Sequence, residues 1–153
     1  MAPQVIESIG RLKDFVGREV GVSDWLTVTQ DRIAIFSEAT EDRQWIHVDT
    51  ERARRESPYG TTIAHGFLTL SLISHLMKQA IDIQKVRMGV NYGLNRVRFP
   101  SPVPAGSRIR ARVALQSTKE IAGGCEATFA ITIERDGSDK PCCVAEWVVC
   151  LYS

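Results

Sequence analysis

Apolar and polar positions change their period along this chain. In residues 107–117, Ile109, Ala111, Val113 and Leu115 alternate with Arg108, Arg110, Arg112 and Gln116. In 125–134, Cys125, Ala127, Phe129, Ile131 and Ile133 alternate with Glu126, Thr128, Thr132 and Glu134, and in 142–152 Ala145, Trp147, Val149 and Leu151 stand opposite Glu146. A period of two predicts strands with one covered and one wetter face, hence an antiparallel sheet. Gly123-Gly124 and Asp136-Gly137 separate the runs and supply turns. Residues 87–99 predict a further strand, stopped by Pro100, Pro102 and Pro104.

Residues 66–80 follow the helical period instead. Phe67, Leu68, Leu70, Leu72, Ile73, Leu76 and Met77 cover nearly all of a helix circumference, with His75 counted among the core. A helix apolar on most sides is a buried one. Upstream lie an amphipathic stretch at 6–15 and an alternating run around Trp25 that predicts a strand within 16–28. Thr29 can cap a helix over 30–39 with Ile33, Ile35 and Phe36 on its buried side. Asp49 or Thr50 can cap a charged turn through Glu56, ended by Pro58 and Gly60. One long apolar helix needs cover on several sides, and a curved antiparallel sheet wrapped around it provides that cover. The expected class is α+β, and a second subunit can close what the sheet leaves open.

Composition narrows the function. A length of 153 residues fits one domain over 1–153 that needs no disulfide staples. A net charge of +1 gives no electrostatic reason to expect a nucleic-acid partner. The apolar run from Gly66 to Met77 is too short to span a bilayer, and Glu7, Arg11, Lys13, Asp14 and Arg18 interrupt any secretory signal. Cys125, Cys142, Cys143 and Cys150 form no Cys-x-x-Cys pair and have no His at a zinc-ligand spacing, so they read as reduced core residues. The expectation is a soluble cytoplasmic protein without membrane, metal or nucleic-acid partners.

Two places carry candidate chemistry. Asp42 and His47 are the raw material of a pair that holds and activates a water. Positions five apart lie about 140° apart on a helix and on opposite faces of a strand, so the pair converges only across an irregular turn. The residues alone leave open the plainer reading of a surface Asp and a half-buried His. The second place is Gly66, where the predicted buried helix begins. The first N–H groups of a helix lack internal partners, and a glycine lets a ligand approach them. A carbonyl oxygen that gains charge during reaction is held well there. Tight packing at the helix entry explains the same glycine. His65 reads as a hydrogen-bonded structural histidine, with a ligand contact as the alternative.

Asp42-Arg-Gln-Trp-Ile-His47, followed by Ala53, resembles the hydratase motif of the MaoC-like family, Asp-x-Asn-Pro-(Leu/Ile/Val)-His-x5-Ala. Ile63-Ala-His65-Gly66-Phe67 resembles that family's start of its central helix, and Tyr92 to Arg110 is similar to its downstream strand and turn. The branch it resembles is that of the nodulation-protein-N-like hydratases with a single hot-dog domain. The resemblance implies a hot-dog fold, a homodimer with sheets joined edge to edge, and (R)-specific hydration of trans-2-enoyl-CoA without a cofactor. It implies Asp42 and His47 as the catalytic pair. In that scheme Asp42 takes a proton as water adds to C3, and His47 positions the water and passes a proton to C2. Gly66 N–H receives the thioester oxygen, Gln44 supports the turn, and Ser74 lies near the pocket. Gln44-Trp45 stands where the family has Asn-Pro, and Glu41 where it has glycine. A thioesterase, a non-catalytic acyl-CoA-binding protein and a partner-dependent dehydratase subunit are the competing expectations on this fold. Arg96, Arg98, Arg108, Arg110 and Arg112 either meet substrate phosphates or form a solvated strand face.

Overall fold

The computed structural model describes residues 2–153. The chain begins with β1 (Gln4–Ile6), a 3₁₀ helix (Ile9–Phe15), β2 (Arg18–Val22) and β3 (Leu26–Thr27). Three helices follow: α1 (Gln30–Thr40), the single turn α2 (Trp45–Val48) and α3 (Thr50–Glu56). Next come α4 (Gly66–Ser71), α5 (Ile73–Ala80) and the short β4 (Ile81–Ile83). The long strands β5 (Met88–Arg98), β6 (Arg108–Ile121), β7 (Gly124–Arg135) and β8 (Cys143–Tyr152) close the chain.

The alternating runs fold as their period requires. The main sheet has the order β2-β6-β7-β8-β5 with β3 also on β6, and every pairing in it is antiparallel. The register sets Ala111 opposite Ile133, Val113 opposite Ile131 and Leu115 opposite Phe129, so the apolar members of both strands share one face. All six are buried, and against them pack Leu68, Leu72, Ile73, Leu76 and Ala80 of the helix. This is a hot-dog arrangement, a sheet curved around one helical axis.

The helix differs from its expected form in two respects. It is interrupted at Leu72, which divides α4 from α5, although Leu72 N–H still donates to Leu68 O and Leu76 N–H to Leu72 O, both at 3.0 Å. The Ser71 hydroxyl donates back to Phe67 O at 2.7 Å, a local bond that bends helices. It is also covered on one side only. Phe67, Ser71, Ser74, His75 and Lys78 form an exposed stripe, with Phe67 at 69% exposure, so His75 is not a core residue. Counting apolar side chains around the axis overstates burial, because the sheet of one chain wraps only one side.

Two smaller differences follow the same logic. Ile35 is 70% exposed, and α1 buries Ile33 and Ser37, one turn apart, instead. The expected strand within 16–28 splits into β2 and β3 where Ser23 turns inward, its hydroxyl accepting from Ala111 N–H at 2.8 Å. Both helix caps form: Thr29 accepts from Arg32 N–H, and of the two candidates for α3 it is Asp49 that accepts, from Arg52 N–H.

Three strand arginines are engaged within the protein. Arg108 pairs with Asp136, Arg110 with Glu134, and Arg112 bridges Glu134 and Glu19, while Trp25 lies under the guanidinium groups of Arg108 and Arg110. This ladder is a solvated strand face. All four cysteines are free and buried, and burial pushes the Cys142 thiol up to about 11 and the Cys143 thiol up to about 12. Among the described residues no helix is long and apolar enough to cross a membrane.

Candidate active site

Convergence of Asp42 and His47 depends on the residue before them. Glu41 ends α1 in the left-handed region at φ 61°, which reverses the chain and starts the irregular turn that five-residue spacing demands. An L residue there carries strain of roughly 1–2 kcal/mol. Glycine relieves that strain, although its greater freedom in the unfolded chain takes back roughly 0.5–1 kcal/mol. Glu41→Gly is therefore expected to raise the thermal midpoint by about 2 °C, and Glu41→Ala to leave it below the glycine variant. Paired thermal melts check this.

The turn is tied from three directions. The Asp42 main-chain carbonyl accepts from Ser37 Oγ at 2.6 Å and from His65 Nε2 at 3.0 Å. Arg43 pairs with Glu38 at 2.9 Å, and Gln44 N–H donates to Asp42 Oδ1 at 3.4 Å. Trp45, where the motif has proline, packs beneath the Arg52 guanidinium 4.3 Å from its ring centroid, so a side-chain contact replaces a backbone restraint.

His47 is 6% exposed, and its Nδ1 lies 2.7 Å from Ile63 O. A carbonyl only accepts, so Nδ1 carries the hydrogen and the neutral ring keeps its lone pair on Nε2. Burial lowers the His47 pKa below the usual imidazole value; the bond to Ile63 and the Asp42 charge oppose this, and nearby His65 reinforces it. At neutral pH the ring is therefore an uncharged base. Ile63 N–H donates to Ile46 O at 3.0 Å, Gln30 Nε2 donates to His47 O at 2.8 Å, and Thr62 donates to Gln30 Oε1. Gln30, the first residue of α1, thus fastens the α2 turn to the strand-like segment that leads into Gly66.

One acceptor or donor atom from each of Asp42, His47 and His65 lies within 4.8 Å of the other two. They open on a cavity of about 450 Å³ whose walls include Phe36, Thr40, Gly66, Phe67 and Phe99. Gly66 sits where the Phe99 ring closes on it: a methyl group there would lie 3.2 Å from three ring atoms. Gly66 is thus tightly packed against Phe99 and also lines the cavity. Gln44 is exposed at the turn, where its main-chain N–H donates to Asp42 Oδ1 and its carbonyl accepts from His47 N–H at 3.0 Å. Ser74 is exposed and lines a separate cavity of about 630 Å³ with Met77 and Trp147, apart from the Asp42–His47 pair. His65 is buried and hydrogen-bonded through Nε2, as expected of a structural histidine, and folding also brings it into the cluster, the place its position directly before Gly66 left open.

The same three side chains form a set that could hold a metal. Each imidazole, however, commits one nitrogen to a backbone carbonyl, and the rings stack at 3.8 Å with 21° between their planes. This leaves Nε2 of His47 and the buried Nδ1 of His65 as the free ring nitrogens beside the Asp42 carboxylate.

Known proteins resemble this chain in sequence and in fold. The family described as MaoC like domain matches residues 12–134. The chain is 49% identical to 3-hydroxyacyl-thioester dehydratase Z of Mycobacterium tuberculosis over 147 residues, covering 95% of this chain and 97% of that protein. It is 45% identical to Nodulation protein N of Rhizobium leguminosarum bv. viciae over 143 residues, 92% of this chain and 89% of that one. Among solved structures, the (R)-hydratase from A. caviae involved in PHA biosynthesis superposes with a TM-score of 0.71 at 25% identity, covering 88% of this chain and 94% of that one. Fold, motif and relatives agree, and the chain belongs to the MaoC-like dehydratase family, hydro-lyases built on the hot-dog fold.

Proposed function

We propose that this protein catalyses the reversible, (R)-specific addition of water to trans-2-enoyl-CoA, giving (R)-3-hydroxyacyl-CoA, with Asp42 and His47 holding the reacting water. The observation that carries this is their meeting over one cavity beside Gly66, across a turn that the sequence spacing alone does not provide. Water is a poor acid, with a pKa of about 15.7, and adds to an unactivated alkene reluctantly. Conjugation to a thioester makes C3 electrophilic, because attack there moves charge onto the carbonyl oxygen. In the proposed mechanism the water donates one hydrogen to the Asp42 carboxylate and the other to the His47 Nε2 lone pair. One proton leaves it as oxygen bonds to C3, and the pair returns one proton to C2, so the site ends each turnover as it began. Gly66 N–H stabilises the enolate oxygen. General acid–base help is worth about 10²–10⁴ in rate and an oxyanion donor about 10²–10³.

Incubation of the purified protein with crotonyl-CoA tests the proposal. The conjugated thioester absorbance is expected to fall, the product to be the (R) alcohol, and no free CoA to appear in a thiol assay. Release of CoA would assign a thioesterase instead, and binding without loss of absorbance would assign a non-catalytic acyl-CoA-binding protein.

The active form is proposed to be a homodimer joined through β5. This strand ends the main sheet, has no outer neighbour among the described residues, and exposes Met88, Val90, Tyr92 and Leu94. A long apolar edge strand is a template for pairing unless something covers it. Four free, buried thiols suit a reducing compartment, which supports a cytoplasmic location.

A further inference from the structure

We infer that His65 is a positioning residue, one that locks the Asp42 turn, the His47 ring and the entry to Gly66 into a single rigid unit. The inference rests on the Asp42–His47 reading above and adds a residue to it. His65 is 3% exposed and touches each member of the site differently. Its Nε2 lies 3.0 Å from Asp42 O, and since a carbonyl only accepts, Nε2 is the protonated nitrogen. Its ring stacks on His47 at 3.8 Å, with Phe36 tilted against it at 5.0 Å, and its own carbonyl accepts from Leu68 N–H at the head of α4.

The other nitrogen shows why a histidine stands here. With Nε2 committed to the Asp42 carbonyl, Nδ1 is buried with no hydrogen-bond partner among the described residues. A group of that kind carries an uncompensated desolvation penalty. A phenylalanine would fill the same space without it, so packing alone does not favour histidine. What phenylalanine lacks is the N–H that reaches the Asp42 carbonyl. Asp42 follows a strained left-handed residue and its side chain is exposed, so its direction is set by what holds its main chain. His65 and Ser37 are the two side chains that bond that carbonyl.

Two variants separate positioning from packing. His65→Phe keeps an aromatic plate and removes the donor; His65→Gln keeps an N–H at similar reach and removes the stack. His65→Phe is expected to lower kcat for crotonyl-CoA about 10- to 100-fold with KM within about twofold, since an ångström of misplacement can cost about 10²-fold. Its thermal midpoint is expected to equal or exceed that of the wild type. His65→Gln is expected to recover a large part of kcat. Amide hydrogen exchange over residues 42–47 should quicken in His65→Phe and stay near wild type in His65→Gln. Wild-type kcat in His65→Phe, or equal losses in both variants with a matching fall in stability, overturns the inference. If the wild-type protein itself leaves crotonyl-CoA unchanged, the hydratase reading fails, and the exchange measurement still decides whether His65 holds the turn.

Discussion

Asp42→Asn is expected to reduce hydration of crotonyl-CoA by about 10²–10⁴-fold while leaving the protein folded. The side chain is exposed, and the contacts that shape its turn use the main-chain carbonyl, which the substitution does not touch. The amide oxygen can still accept from Gln44 N–H, so the thermal midpoint should stay within about 2 °C. What is lost is a carboxylate able to take a proton. Removing that charge also removes an upward influence on the His47 pKa, so the acid limb of the residual activity should move to lower pH. His47→Ala is expected to cost a similar factor. The double variant should cost little more than the worse single one, because groups that act on one water are strongly non-additive. Steady-state rates for the four proteins decide it: an Asp42→Asn enzyme at near the wild-type rate removes Asp42 from the mechanism.

A large loss of stability is expected far from the cavity, at Gly21→Ala. β2 crosses the end of α5 so closely that a methyl group on Gly21 would lie 2.2 Å from the Ala80 carbonyl oxygen and 2.8 Å from its carbon. Both are backbone atoms, so no side-chain rotation relieves the contact, and either β2 leaves β6 or the helix end leaves the sheet. Overpacking of this kind costs about 3 kcal/mol, which for a domain of this size lowers the thermal midpoint by roughly 6–12 °C. Gly93→Ala is the control: a methyl group at Gly93 meets nothing within 4 Å, and the change should fall within about 0.5 kcal/mol. Urea unfolding of both variants checks the pair, and equal midpoints would refute the close-approach argument.

The sheet and the helical axis were legible because their apolar positions repeat with a fixed period, and Val113 or Ile131 cannot change phase without losing the whole buried face. Where burial depends on how far the sheet reaches, periodicity falls short, as Ile35, Phe67 and His75 show. The Asp42–His47 spacing stated a condition, an irregular turn. The residue that meets it is a glutamate in a left-handed conformation, which nothing in its chemistry announces. Ser74, eight residues beyond Gly66, is carried about 12 Å along the helix and lines another cavity. His65 was legible as a hydrogen-bonded histidine but its partner was not, because the bond runs across the fold, from the head of α4 back to the end of α1.

The raised thiols of Cys142 and Cys143 have a practical consequence. With pKa values of about 11 and about 12, their thiolate fractions at neutral pH are about one in ten thousand and one in a hundred thousand. Electrophiles react with the thiolate, so an alkylating reagent finds almost nothing to attack while the sheet is closed. Modification of these two is expected to follow transient opening where the start of β8 pairs with β7 beside Ile133, and its pace to record how often that opening happens. Without any added label, the molecule carries a clock for its own breathing.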